Sequence, residues 1–216
     1  MALLLVRLEK IMDTIQSALF AFKKLIDYTY HFIIAHQKNK YEINLTFHES
    51  DFRHCAGLQY LKDIDIPRNT KKLFDKIENH ELSDDVLSES AFYEKVQESY
   101  ANVKSRIFGL QHIEKYLDNK NLVCKYVKYM NKNSSISADY LIKSVINRTT
   151  AYIFIRERRQ SDEFCICSFF IEPKQPYNGI KAYWLRKEKI NNITQDIFIL
   201  YDRLLVESQK NQEQDN

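Results

Sequence analysis

Helices first and an antiparallel sheet second is the architecture this sequence predicts: an α+β fold with N-terminal helices packed on a C-terminal antiparallel sheet. Three observations carry it. Apolar residues recur at steps of three and four through the first half, at Leu8, Ile11, Met12, Ile15, Leu19, Phe22 and Ile26, and again from Phe92 to Leu117. From Leu122 onward the period changes to two. Gly and Pro number only 3 each in 216 residues, so long regular elements should outweigh turns.

The first stripe runs on through Thr29 and Ile33 and predicts one amphipathic helix over residues 9–36. Its remaining surface carries Lys10, Asp13, Gln16, Lys23, Lys24 and Asp27. The stripe therefore suits packing on the rest of the chain, or a homodimer through this helix. Inserting the whole cylinder into a bilayer would bury those charges, at about 2.5–3.5 kcal/mol each near its centre. Ile43, Leu45 and Phe47 alternate as in a half-buried strand. Ser50 or Asp51 can then cap a short helix carrying His54, with Leu58 and Leu61 on its apolar side.

A loop is expected at residues 63–68, and Asn69 or Thr70 caps a helix over 71–79. Ser83-Asp84-Asp85 opens a region that reads as helical from 88 to 117 with a break, ended by Asn119-Lys120-Asn121. Residues 123–128, 136–143, 150–156 and 163–171 alternate as four strands. The turns between them are short, which favours an antiparallel meander. Residues 182–187 and 197–201 add a strand or a terminal helix. The polar tail 207–216 is expected to be disordered. The resulting organisation is a helix over 1–38, a main domain over 39–206 and the tail.

Net charge is +3 and the pI is near 8.5, compatible with RNA but short of the dense basic face of an avid DNA binder. The 14 Tyr and 13 Phe can stack on bases, though filling a core accounts for most of them. Cys165-Ile166-Cys167 is a C-x-C inside an apolar strand with no histidine at ligand spacing, so a zinc site is not expected. Reduced thiols and the lack of a charged lead before Leu3-Leu4-Leu5 point to a cytoplasmic protein that does not cross a membrane.

His54 sits just past a strand, with Gly57 allowing close backbone approach. That arrangement suits proton transfer near neutral pH, and equally a hydrogen-bonded histidine on a packed helix. Arg106 reads either as a phosphate brace or as a solvated helix residue, and Ser168 as a mid-strand hydroxyl that needs a partner. The runs Lys71-Lys72 and Arg156-Glu157-Arg158-Arg159 can attract a phosphate backbone, although acidic residues lie among them.

Phe52-Arg53-His54-Cys55-Ala56-Gly57-Leu58 resembles an F-x-H-x-x-G-L signature. Val103-Lys104-Ser105-Arg106-Ile107, Ile136-Ser137-Ala138-Asp139-Tyr140-Leu141 and Cys167-Ser168-Phe169-Phe170, with Leu185-Arg186-Lys187-Glu188-Lys189 behind it, come next in matching order. Together, from residue 41 to residue 201, they resemble the fourth group of phage barnase–EndoU–colicin–RelE-like (PBECR) nucleases. Cys55-Ala56 departs from the larger apolar residues expected after the histidine.

The resemblance implies helices on one face of an antiparallel sheet and a metal-independent RNA endonuclease of phage or mobile-element origin, acting as a toxin or host-takeover factor. It implies His54, Arg106 and Ser168 as catalytic residues around one cleft. Lys62, Asp139 and Lys187 would bind substrate, with Asp139 facing the site and Tyr140 packing. No cofactor or metal is implied. RNA is the expected partner, with an antitoxin or inhibitor protein as a further one. The alternative is a phage-encoded binding or inhibitor protein that keeps the fold without catalysis.

Overall fold

A computed structural model describes residues 13–95, 102–132, 134–173, 176–203 and 205. The first element, α1 (Thr14–Ile26), buries Ile15, Ala18, Leu19, Phe22 and Leu25 and ends at Asp27. The expected helix over 9–36 therefore stops halfway. The chain then continues as a strand, β1 (Tyr28–His36), in which Tyr30, Phe32, Ile34 and His36 are buried in alternation. Aromatic and β-branched residues dominate this stretch and suit a pleated surface better than a helix. The helical steps continue through Thr29 and Ile33, but both lie on the less buried face of β1, and the alternation of Tyr30, Phe32 and Ile34 decides the structure. The stripe residues Ile15, Leu19 and Phe22 of α1 are covered by the protein's own core, while Phe20 is exposed on another side of the helix. Leu8, Ile11 and Met12 lie outside the described residues, as do residues 207–216.

Chain reversal after β1 leads to β2 (Asn39–Leu45), paired antiparallel to it. Four helices come next: α2 (Phe52–Cys55), α3 (Thr70–Glu78), α4 (Asp84–Ser88) and α5 (Val103–Leu110). Asn69, Ser83 and Asn102 cap α3, α4 and α5 with their side chains. After α6 (Ile113–Asp118) the chain is mostly extended: β3 (Asn121–Tyr126), β4 (Tyr140–Ile146), β5 (Thr149–Glu157), β6 (Glu163–Ile171), β7 (Gly179–Lys181), β8 (Tyr183–Asn191) and β9 (Ile197–Asp202). The expected helix over 88–117 is thus split, and the segment 197–201 is a strand. β4 begins four residues later than the expected 136–143, because Ile136 belongs to the preceding loop.

All nine strands form one curled sheet in the order β7-β3-β4-β5-β6-β2-β1-β8-β9. It is not wholly antiparallel: β2 and β6 run parallel, through Asn44–Glu163 and Leu45–Phe164 only. The curl brings the two ends together, since β7 passes into β8 through Ala182, whose N–H donates to the Val123 carbonyl at 3.0 Å. The main core fills one face, where α1, α5 and α6 pack with Tyr30, Phe32, Phe169 and Ile171. Gly109 lets α5 approach closely, since a Cβ there would collide with the Ile171 and Phe169 side chains. A second cluster on the other face of β3–β6 gathers Tyr126, Leu141, Phe154, Phe170 and Tyr177.

Candidate active site

The site lies where β2 and β6 part. Beyond Leu45 and Phe164 the two strands make no further ladder, and α2 lies against the opened edge of β6. Cys55 Sγ donates to the Ile166 carbonyl at 3.7 Å, satisfying an edge acceptor that no strand reaches. Cys55 and Ala56 are fully buried, and their small size lets this helix sit on the strand. The departure from the expected larger residues is a packing solution. Burial also pushes the Cys55 thiol well above its ordinary range, so it stays protonated.

Entry to α2 is braced by Arg158. Its guanidinium donates to both oxygens of Asp51, at 3.2 and 2.5 Å, and to the Thr46 carbonyl and hydroxyl. Such bidentate geometry holds the turn before His54 in register. Exit from the helix is set by Gly57 at φ +76°, a left-handed conformation that most side chains avoid. The same glycine faces Arg106: a Cβ there would lie 2.8 Å from Arg106 Cδ. The glycine of one motif therefore makes room for the arginine of the next.

Facing α2 is a kink in β6. Phe154 pairs with Ser168 but Ile155 with Ile166, leaving Cys167 as the extra residue of a bulge. Cys165 and Cys167 flank Ile166 at this irregularity, and both line the cleft described next. Burial raises the Cys167 thiol to about 12.

His54 and Ser168 line a single open cleft of about 390 Å³, with Asp51, Gln59, Tyr60 and Arg156 also on its walls. His54 and Arg156 are exposed, while Ser168 is buried at the bulge. Arg106 does not line the cleft. It is 1% exposed, with its guanidinium carbon 4.1 Å from the Phe170 ring centroid and 5.0 Å from that of Tyr60. Burial lowers its pKa from the ordinary arginine value, with the Tyr60 hydroxyl opposing the shift, and Nε has no hydrogen-bond partner. Arg106 thus stands behind Tyr60, a buried cation one ring away from the cleft.

The three expected substrate-binding residues are dispersed. Lys62 is exposed and is not on the cleft wall. Asp139 is exposed too, but its carboxylate accepts the Glu157 N–H at 2.9 Å and so ties β5 to the preceding loop. Lys187 is corrected outright. It is 2% exposed, on β8, and its amine donates to the Leu117 and Asn119 carbonyls at 2.8 and 2.9 Å. Lys189 is buried as well and pairs with Glu114, so neither lysine is a solvated strand residue. Tyr60 and Arg156 are the cleft residues that motif reasoning passed over. Arg156 was visible only as one charge in a mixed run, and Tyr60 only as the third residue after Gly57.

Among the described residues, no group of three or more His, Cys, Asp and Glu side chains is placed to hold a metal ion. The cleft offers the His54 imidazole, the hydroxyls of Tyr60, Ser135, Ser137 and Ser168, and the exposed Arg156 guanidinium.

The family model described as phage-Barnase-EndoU-ColicinE5/D-RelE like nuclease4 matches residues 14–205. The chain belongs to this nuclease family. No curated protein and no solved structure matches it. The matched range takes in α1 and β1, in keeping with their place in the core and the sheet. No helix among the described residues is long and apolar enough to cross a membrane.

Proposed function

We propose that this chain is an endoribonuclease that cleaves RNA without a metal ion, at the cleft between α2 and β6. The observation that carries the reading is the meeting of His54 and Ser168, from motifs more than a hundred residues apart, on one polar cleft in a chain of a nuclease family. In the proposed reaction the RNA 2′-oxygen attacks the adjacent phosphorus and the P–O5′ bond breaks. The products are a 2′,3′-cyclic phosphate and a free 5′-hydroxyl.

The 2′-hydroxyl must lose a proton and the leaving oxygen must gain one. His54 is the cleft's imidazole and serves as the proton-transfer group. The Ser168 hydroxyl and the Arg156 guanidinium meet the phosphate oxygens, and Arg106 adds positive potential from behind Tyr60. The biological role we propose is that of a toxin or host-takeover factor of phage or mobile-element origin, acting in the cytoplasm. An antitoxin or inhibitor protein is the partner this role calls for.

A test compares an RNA with its 2′-O-methyl counterpart, both in excess chelator. Cleavage of the first alone is expected, with cyclic phosphate ends. Equal cleavage of both would remove the 2′-hydroxyl from the mechanism. One observation favours a second reading, a non-catalytic binding protein on the same fold: Arg106, the expected phosphate brace, is withdrawn from the cleft wall. Failure to cleave any RNA while still binding it would favour that reading.

A further inference from the structure

The curled sheet has a second opening, at the seam where β3 and β7 approach β8 and β9. It holds a pocket of about 800 Å³, well within the size range of small-ligand sites. Lys120, Lys181 and Arg203 stand on its walls, and no carboxylate does among the described residues. Its aromatic residues are Tyr183, Trp184 and Tyr201. Lys181 Nζ lies 5.1 Å from the Tyr183 ring centroid, so a cation and a half-exposed ring sit side by side. The pocket shares no lining residue with the His54 cleft.

We propose that this pocket is a second binding site that takes a nucleotide, its base stacking on Tyr183 or Trp184 and its phosphate meeting Lys120 and Lys181. Stacking on rings is tolerant of base identity, and lysines recognise phosphate as point charges. The wall behind the ligand is already fixed. Lys187 spends its hydrogens on Leu117, Asn119 and Asn121, and Trp184 Nε1 donates to the Asn121 carbonyl at 2.8 Å. A preorganised wall reduces the cost of ordering on binding. The nucleotide can be free or part of an RNA strand. Only the second source rests on the nuclease reading.

The chain has 1 Trp, Trp184, so occupancy can be read from its fluorescence after correction for nucleotide absorption. The full chain is titrated with AMP and, separately, with a 2′-O-methyl oligoribonucleotide that cannot undergo 2′-hydroxyl attack. At least one should give a saturable change. Raised salt, or the Lys120→Glu and Lys181→Glu pair, should weaken it by about tenfold or more. Both lysines are exposed, so the folded state should tolerate the change. His54→Ala should leave the response unchanged.

A response to AMP identifies a free nucleotide as a ligand, and a response to the oligonucleotide alone identifies a strand. No saturable change with either probe overturns the proposal, as does an equal response in the double variant or one lost in His54→Ala. Neither probe reports cleavage, so this result stands or falls apart from the ribonuclease reading.

Discussion

The sheet opens in two places, between β2 and β6 and at the seam of β3 with β8, and each opening is lined with basic side chains. At the first, α2 inserts, Cys55 satisfies an edge carbonyl, and His54 and Arg156 are left exposed on the cleft. At the second, the C-terminus of α6 comes down over the strands. Lys187 then spends its amine on that helix's last carbonyls, where a cation also meets the favourable end of the helix dipole. Burial pulls Lys187 down to about 8, with Asp118 opposing the shift. Arg156 on β5 and Lys187 on β8 are both basic strand residues. What separates a residue that can act on a ligand from one that closes the fold is whether the backbone has already claimed its hydrogens.

Substitutions can sharpen that contrast. The largest loss of stability is expected at Gly57. Gly57→Val would place a β-branched residue at positive φ and drive it into the Arg106 stem, for about 3 kcal/mol in chemical denaturation. A near-neutral result would show that α2 and Arg106 are not packed as described.

Lys187→Met should cost less, about 2 kcal/mol at pH 7, because it strands the Leu117 and Asn119 carbonyls. Its pH dependence has a definite sign. The folded-state pKa of about 8 lies below the ordinary lysine value of 10.5, so between these values the unfolded chain holds a proton that the folded one has released. Stability contributed by this group therefore rises with pH across that window, and below it the cost of burying the charge is fully present. The gap between wild type and Lys187→Met should widen from pH 7 to pH 10. A constant gap would place Lys187 in water.

Arg156→Ala should leave stability within about 0.5 kcal/mol, since the side chain is exposed on the cleft. It should instead weaken RNA binding uniformly across sequences and reduce the salt dependence by about one phosphate contact. A loss of stability without a loss of affinity would reverse the contrast between the two openings.

Much of the sheet was legible in the sequence because alternation is a local signal. The strand expected over 163–171 matches β6 end to end, and β5 differs from its expected bounds by one residue at each end. The His54 helix was legible from the strand before it. It ends at Cys55, however, short of Leu58 and Leu61, and Asp51 precedes it without a side-chain cap hydrogen bond. β1 was misread because its aromatic alternation sits inside a stretch that also fits helical steps. The burial of Arg106 and Lys187 left no such trace. Each depends on a partner far away in sequence, Gly57 and Phe170 for one and the end of α6 for the other. The same holds for the bulge at Cys167, which presents Ser168 to the cleft and is set by the pairing of β5 with β6.

The central claim is that His54 transfers the proton in RNA cleavage, and single-turnover cleavage by wild type and His54→Ala in chelator tests it most directly. Thermal unfolding of both proteins serves as the check on folding. The expected result is an equally stable variant whose rate of cyclic phosphate formation falls by about two to four orders of magnitude. A variant that cleaves at the wild-type rate would contradict the claim and make His54 a residue of the surface alone.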